Sequence, residues 1–262
     1  MPTRIDTDVP HPSRMHDYWL GGGHNFAADR ELAEKIMKIM PGIEDISRIN
    51  QAYVRRAALF LVSMGIRQFL DIGSGVPTIG TLHEVVHRAD PECRVVYVDA
   101  DPVSVAHTQL ILEDVDRAAV LLGDVRDVDA VLGAEPTRRL LDVEAPIGLF
   151  APAMHFYPDA LDPAAILAGY RQRLASGSYL VLAQCTSDNN IPGQDEVVAA
   201  YRATRYRLYL RTYAEVLRMC EGFDLVPPGL VGFADWRPEG IGDRSTDPAI
   251  NSLIYAAVGR KP

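Results

Sequence analysis

The chain has 262 residues, of which 26 are basic and 35 acidic, for a net charge of −9; 48% are hydrophobic and 23% charged. Such proportions exclude a disordered tail or a small secreted scaffold, and no apolar run approaches the roughly 20 residues of a membrane span. The acidic balance argues against sequence-independent nucleic-acid binding, which needs a positive field. Three widely spaced cysteines (Cys93, Cys185, Cys220) form no CxxC pair, and MPTRIDTDVPHPSR carries no apolar signal segment. Both features point to a cytoplasmic protein with reduced thiols.

In chain order, the first 15 or so residues, with Pro2, Pro10 and Pro12, read as a mobile arm. Helical patterning starts near His16. Asp29 opens a run with Leu32, Ile36 and Ile39 that stops at Pro41-Gly42, and Ser47 is expected to cap a second run ending at Gly65. From Arg67 the texture changes. QFLDIG, RVVYVDA, AAVLLGD, PIGLFA and SYLVLAQ read as strands buried on both faces, and 78–88, 102–114, 128–141 and 163–173 as the helices between them. This alternation predicts a doubly wound α/β sheet. A helix over 212–220, a strand FDLVP and a last strand SLIYAAVGR suit an antiparallel edge. Residues 1–65 are read as arm and helical cap, and 66–262 as the core of one compact domain.

The richest segment is Asp71-Ile-Gly73-Ser74-Gly75-Val-Pro77-Thr78, between a strand and a helix. Its glycines permit a tight turn and close approach of a ligand to the backbone. The next strand ends at Asp99, followed by Ala100, 99 − 75 = 24 residues after the last loop glycine. A carboxylate there can accept from both ribose hydroxyls. The third strand ends at Asp124-Val125, where an acidic side chain can accept from an adenine amino group. Thr78 stands where a dinucleotide fingerprint has its third glycine, and no GxxxxGK[ST] loop exists. Asp71 would repel a pyrophosphate but tolerate a sulfonium or ammonium, which favours S-adenosyl-L-methionine as cofactor.

Asp71-Ile-Gly-Ser-Gly75, Asp99 and Gly123-Asp124 resemble the successive motifs of class I S-adenosylmethionine-dependent methyltransferases. Over nearly the whole chain, Arg14-Met-His-Asp17-Tyr18-Trp-Leu-Gly21-Gly22-Gly-His-Asn25-Phe26, Gly177-Ser-Tyr-Leu-Val and Trp236-Arg-Pro238 are similar to a bacterial methyltransferase family of undetermined substrate. The resemblance implies a Rossmann-like seven-stranded sheet with its last strand antiparallel, and binding of S-adenosylmethionine. The Val-Pro77 ending makes the glycine loop stiffer than in many methyltransferases.

An acceptor is expected beyond the fourth strand, where His155 is the best placed general base, with an unperturbed pKa near 6.5. The run Tyr18–Phe26 with three consecutive glycines suggests a lid in which Tyr18, Asn25 or Phe26 touches the methionine end of the cofactor, or a loop that docks the cap. Three decoys are set aside. His83-Glu84-Val-Val-His87 matches HExxH but sits on the helix after the glycine loop. Asp101 of Asp99-Ala-Asp101 is a plausible N-cap rather than a metal ligand. Arg202–Arg211, arginines interleaved with tyrosines, reads as a solvated helix or lid face rather than a nucleic-acid contact. The expected activity is methyl transfer to a small-molecule acceptor without nucleic acid or membrane as partner; oligomeric state is left open. A non-catalytic sensor of the cofactor or its product, and a nicotinamide-dependent oxidoreductase, are the alternatives.

Overall fold

The computed structural model describes residues 7–76, 80–189 and 191–262. Its centre is built from the apolar runs. β1 (Gln68–Ile72) and β4 (Gly148–Ala151) are buried at every residue, as are β2 (Arg94–Asp99) and β5 (Tyr179–Cys185) save one end residue each. Continuous burial is what a parallel sheet covered on both faces requires. β3 (Ala118–Leu122) forms one edge and is only partly buried. β6 (Asp224–Leu225), β7 (Val231–Gly232) and β8 (Ile254–Arg260) complete the sheet.

The order is β3-β2-β1-β4-β5-β8-β6, with β7 also paired to β8. β1 pairs in parallel with β2 on one side and β4 on the other. The chain therefore reverses its direction of travel across the sheet at β1, and the crevice at the carboxyl ends of β1 and β4 is the topological switch point. β8 runs antiparallel against β5, β6 and β7. The expected antiparallel last strand is present; β7 adds an eighth strand, its two residues facing Ala256 and Tyr255.

Ten α-helices surround the sheet: α1 (Pro12–Trp19), α2 (Ala27–Ile39), α3 (Ile43–Ser63), α4 (Leu82–Ala89), α5 (Pro102–Ile111), α6 (Val128–Gly133), α7 (Glu135–Leu140), α8 (Pro163–Arg173), α9 (Gln194–Ala200) and α10 (Tyr213–Met219), counted among the described residues. Four departures from expectation have physical causes. The N-terminal arm becomes helical at Pro12 because Met15 and Trp19, one turn apart, are both buried. Ser47 caps nothing: α3 starts at Ile43, and the Ser47 hydroxyl donates to Ile43 O at 3.0 Å from within it. The expected helix over 128–141 breaks at Ala134, since Pro136 has no N–H for the carbonyl one turn back. α9 was not legible at all. Pro77, Thr78 and the start of the expected 78–88 helix lie outside the described residues; α4 begins at Leu82 under a Thr81–Glu84 capping box.

α3 is fastened to the sheet as a covering helix. Tyr53, fully buried, donates its hydroxyl to Leu182 O at 3.0 Å and Ala257 O at 2.8 Å, and Arg56 donates to Phe233 O and Trp236 O. No helix among the described residues is long and apolar enough to cross a membrane. Tyr53→Phe leaves both strand carbonyls with their ladder partners only. It is expected to cost about 1–2 kcal/mol with an unchanged m-value in urea unfolding.

Candidate active site at the carboxyl ends of the central strands

The glycine loop after β1 folds back on the end of β2. Gly73 N–H and Ser74 N–H both donate to Val98 O (2.8 and 3.1 Å), and Gly75 N–H donates to Asp99 Oδ2 at 2.7 Å. Gly73 and Gly75 hold φ of 74° and 68°, the left-handed region that favours glycine. The other oxygen of Asp99 accepts from Asp101 N–H at 2.8 Å. Asp71 and Asp99 are both buried. Burial first, and then the neighbouring Asp99, push the Asp71 carboxyl up to about 7; burial also raises Asp99. Asp71 Oδ1 and Ser74 Oγ are buried with no hydrogen-bond partner among the described residues.

The cap is seated on this loop. A side chain on Gly75 would begin 2.8 Å from Ser13 Cβ, and Ser13 Oγ lies 3.4 Å from Ser104 Oγ on α5. What holds α1 there is Asp29, which has no exposure. Its carboxylate accepts from His11 N–H at 2.8 Å and Phe26 N–H at 2.8 Å, and pairs with the buried guanidinium of Arg14 at 2.9 Å. One carboxylate therefore ties the start of α1, its first turn and the start of α2. Asp17, equally buried, organises the glycine run: its Oδ2 accepts from His24 N–H at 2.7 Å and Asn25 Nδ2 at 2.8 Å. A Cβ on Gly22 would fall 2.0 Å from Asp17 Oδ1, so no larger residue fits there. His24 then meets His107 of α5 edge to face at 5.1 Å.

Two residues expected at the cofactor are thus engaged elsewhere. Asn25 spends its amide on Asp17 and Gly22 O, and takes Arg30 on its oxygen. Tyr18 OH donates to Glu34 at 3.1 Å in an exposed setting. Phe26 lies under the Arg14 guanidinium, 5.2 Å away. The geometry of Tyr18–Phe26 is that of a docking loop.

Beyond β4, a single 3-10 turn carries His155. Ala153 Cβ is 3.4 Å from where a Gly73 side chain would start, which puts this turn beside the glycine loop. His155 Nδ1 is buried without a partner; burial, Arg211 and His16 lower its pKa to about 3, well below the expected 6.5. Its imidazole is neutral but weakly basic. Arg211 braces the turn, donating to Met154 O (3.2 Å), Tyr157 O (2.6 Å), Gln184 Oε1 (3.0 Å) and Asp159 Oδ1 (2.9 Å). The arginine–tyrosine run is accordingly not a solvated helix: Tyr201 and Arg211 are buried, and Tyr206 packs on His11 at 4.7 Å. Only their alternation in the sequence marked them; Ser13, His16 and Ser104 carried no signal.

Asp124 and Val125 stand further along the rim. Asp124 is forked onto Arg126, which lowers its pKa, and the fully buried Val125 offers its carbonyl to Tyr170 OH at 2.9 Å. Tyr157 bridges the two strand ends electrostatically, since both Asp99 and Asp124 raise its pKa after burial does. Ala100 is exposed. Among the decoys, His83 contacts Tyr97 OH at 2.9 Å, His87 Nε2 contacts Cys93 O at 2.9 Å, and Glu84 caps α4. Asp101 caps α5, as expected.

Removing the Arg211 cation has a signed consequence. In Arg211→Gln the His155 pKa rises from about 3, because a positive neighbour is gone while burial remains. The loss of a buried fork on three acceptors costs about 3 kcal/mol, and Arg211→Lys does not restore it. Histidine-resolved NMR titration and chemical unfolding check both statements.

A sequence profile of the S-adenosyl methyltransferase family matches residues 1–262. The chain is 35% identical to a DUF574 family protein of Streptomyces avermitilis MA-4680, whose crystal structure superposes with a TM-score of 0.94 over 99% of this chain and 100% of that one. It is 34% identical to a proposed methyltransferase of Thermobifida fusca YX, with a TM-score of 0.90 over 99% and 98%. The N-methyltransferase NodS of Bradyrhizobium japonicum WM9, crystallised with S-adenosyl-L-homocysteine, shares the fold alone: 15% identity, TM-score 0.50, 89% and 97% covered. A search of curated protein sequences finds no match. A glycine loop and carboxylate at the switch point of a Rossmann-like sheet, on a chain matched from end to end, belong to an S-adenosylmethionine-dependent methyltransferase of the S-adenosyl methyltransferase family.

Proposed function

We propose that this enzyme methylates a small molecule, held between α1 and the turn after β4, with the cofactor on the glycine loop and the ends of β1 and β2. The observation that carries this reading is the seating of Ser13 on Gly75. A site roofed this closely by the chain's own helix suits a compact acceptor better than a nucleic-acid strand. The carboxylates of Asp71, Asp99 and Asp101 around it and a net charge of −9 point the same way. In this reading residues 1–65 supply the cap and residues 66–262 the cofactor site, in a cytoplasmic protein with no membrane partner.

The cofactor suits the residues present. The unpartnered Asp71 Oδ1 is an acceptor for an ammonium group, and the unpartnered Ser74 hydroxyl a donor for a carboxylate. Gly73 and Gly75 leave bare backbone for close approach. Each Asp99 oxygen takes one amide and retains a lone pair for a ribose hydroxyl, with Ala100 beside it. Asp124 reaches an adenine amino group by leaving Arg126, an exposed pair worth only about 0–1 kcal/mol, and Val125 supplies backbone at the same strand end. Tyr18 and Asn25 serve the cap that roofs the site. When bound, S-adenosylmethionine brings an electrophilic methyl group. The protein's share is to align the acceptor, exclude water and receive a proton, for which His155 is the nearest base.

Labelled methyl from the cofactor is expected to enter the small-molecule fraction of a bacterial extract, and Asp99→Ala to abolish this. Label appearing only in nucleic acid or protein overturns the reading. Asp71 gives a second test. A carboxyl held at about 7 is largely protonated at pH 6, and a cation at Oδ1 ionises it. Cofactor binding near pH 6–7 therefore releases up to one proton, seen as a buffer-dependent calorimetric enthalpy, and Asp71→Asn removes the release. Because this folded pKa lies above the unfolded value near 3.9, the cofactor-free fold loses stability between about pH 4 and 7.

A further inference from the structure

Two buried imidazole nitrogens near the glycine loop have no partner: His16 Nε2 on α1 and His155 Nδ1 after β4. They stand on the two segments that flank the loop. His16 lies one helical turn beyond Ser13, the residue against Gly75, and His155 lies two residues beyond Ala153, the residue against Gly73. The two rings are close enough for His16 to depress the His155 pKa, and burial keeps both neutral, at about 4 and about 3. A buried polar atom without a partner is costly, so each nitrogen is a place for a ligand's hydrogen bond.

The surroundings are aromatic and offer no spare cation. Phe156 meets the His155 ring at 4.4 Å, Tyr201 at 5.8 Å and Tyr206 at 6.2 Å, while Tyr206 meets His11 at 4.7 Å. Arg211 is spent on Met154 O, Tyr157 O, Gln184 and Asp159. An anionic acceptor would find the carboxylates of Asp71 and Asp99 and no counter-charge. A neutral planar one finds ring faces and two uncharged hydrogen-bonding nitrogens.

We propose that the acceptor is a neutral, planar aromatic molecule bearing a hydroxyl or ring N–H, held by His16 Nε2 and His155 Nδ1 against Phe156 and Tyr206. This rests on the small-molecule reading above. In the transfer, the acceptor's lone pair forms the bond to the methyl carbon as that carbon's bond to sulfur breaks, its electron pair staying on sulfur. The acceptor's proton passes to His155 Nδ1 and then to solvent. An oxygen or nitrogen that has just gained a methyl group is a far stronger acid than before, so a weakly basic imidazole suffices.

The test uses the full chain, S-adenosyl-L-homocysteine and three probes of one ring size: 2-naphthol, 2-naphthoate and 2-naphthylmethylammonium. With S-adenosylhomocysteine saturating, calorimetry is expected to show 2-naphthol binding at least about tenfold tighter than either ion, the value of one hydrogen bond. His16→Ala and His155→Ala each weaken 2-naphthol about tenfold, with glutamine partly restoring it, while S-adenosylhomocysteine affinity stays within about twofold. Tighter or equal binding of either ion, or alanine variants that fold and bind 2-naphthol like the native chain, overturns the proposal. The ranking of probes on the native chain decides even where a variant fails to fold. Absence of S-adenosylhomocysteine binding by the native chain overturns the cofactor placement and this proposal with it; binding without discrimination overturns this proposal alone.

Discussion

A single buried carboxylate, Asp29, decides where the roof of the site lies. It gathers two backbone N–H groups and a guanidinium from three points of the N-terminal chain. Without it, α1 is an eight-residue helix, too short to persist alone in water. With it, Ser13 rests on Gly75 and His16 comes within electrostatic reach of His155. Removing one partner of such a pair strands a charge in the interior, at about 3–5 kcal/mol, so the roof is an obligatory part of the fold.

The ionisable groups beneath the roof share one electrostatic state. Burial lowers His11, His16 and His155 and raises Asp71, in each case toward the neutral form. A low-dielectric crevice with few net charges at rest is prepared for a ligand that brings its own charge. The sulfonium and ammonium of the cofactor then meet acceptors that gain strength by ionising, and the small acceptor meets partners that stay uncharged. Arg211 contributes to this state from behind, fixing the turn by four contacts and holding the His155 proton affinity down.

The legible parts of the fold were those encoded by local periodicity. Five apolar runs became β1 to β5, and Pro163 and Thr212 announced α8 and α10 through their end chemistry. Ser47 misled, because a serine inside a helix can bond back to the carbonyl four residues earlier and mimic a cap signal. The arginine–tyrosine run misled for the opposite reason. Its composition is that of a surface, yet Arg211 is buried by partners drawn from residues 154, 157, 159 and 184, none of them near in sequence.

By itself the sequence determined the doubly wound sheet, the glycine loop at the end of β1 and the carboxylate at the end of β2. These depend on short-range rules: alternation of strand and helix, left-handed glycines in a tight turn, and aspartate at a strand end. Tertiary structure alone decided that a presumed mobile arm is a roof, that Tyr18 and Asn25 serve the cap, that the third strand-end carboxylate, Asp124, leans on Arg126, and that His155 is a weak base. Each of these outcomes is set by desolvation and by contacts between residues far apart in the chain, and neither quantity is a property of any local stretch of sequence.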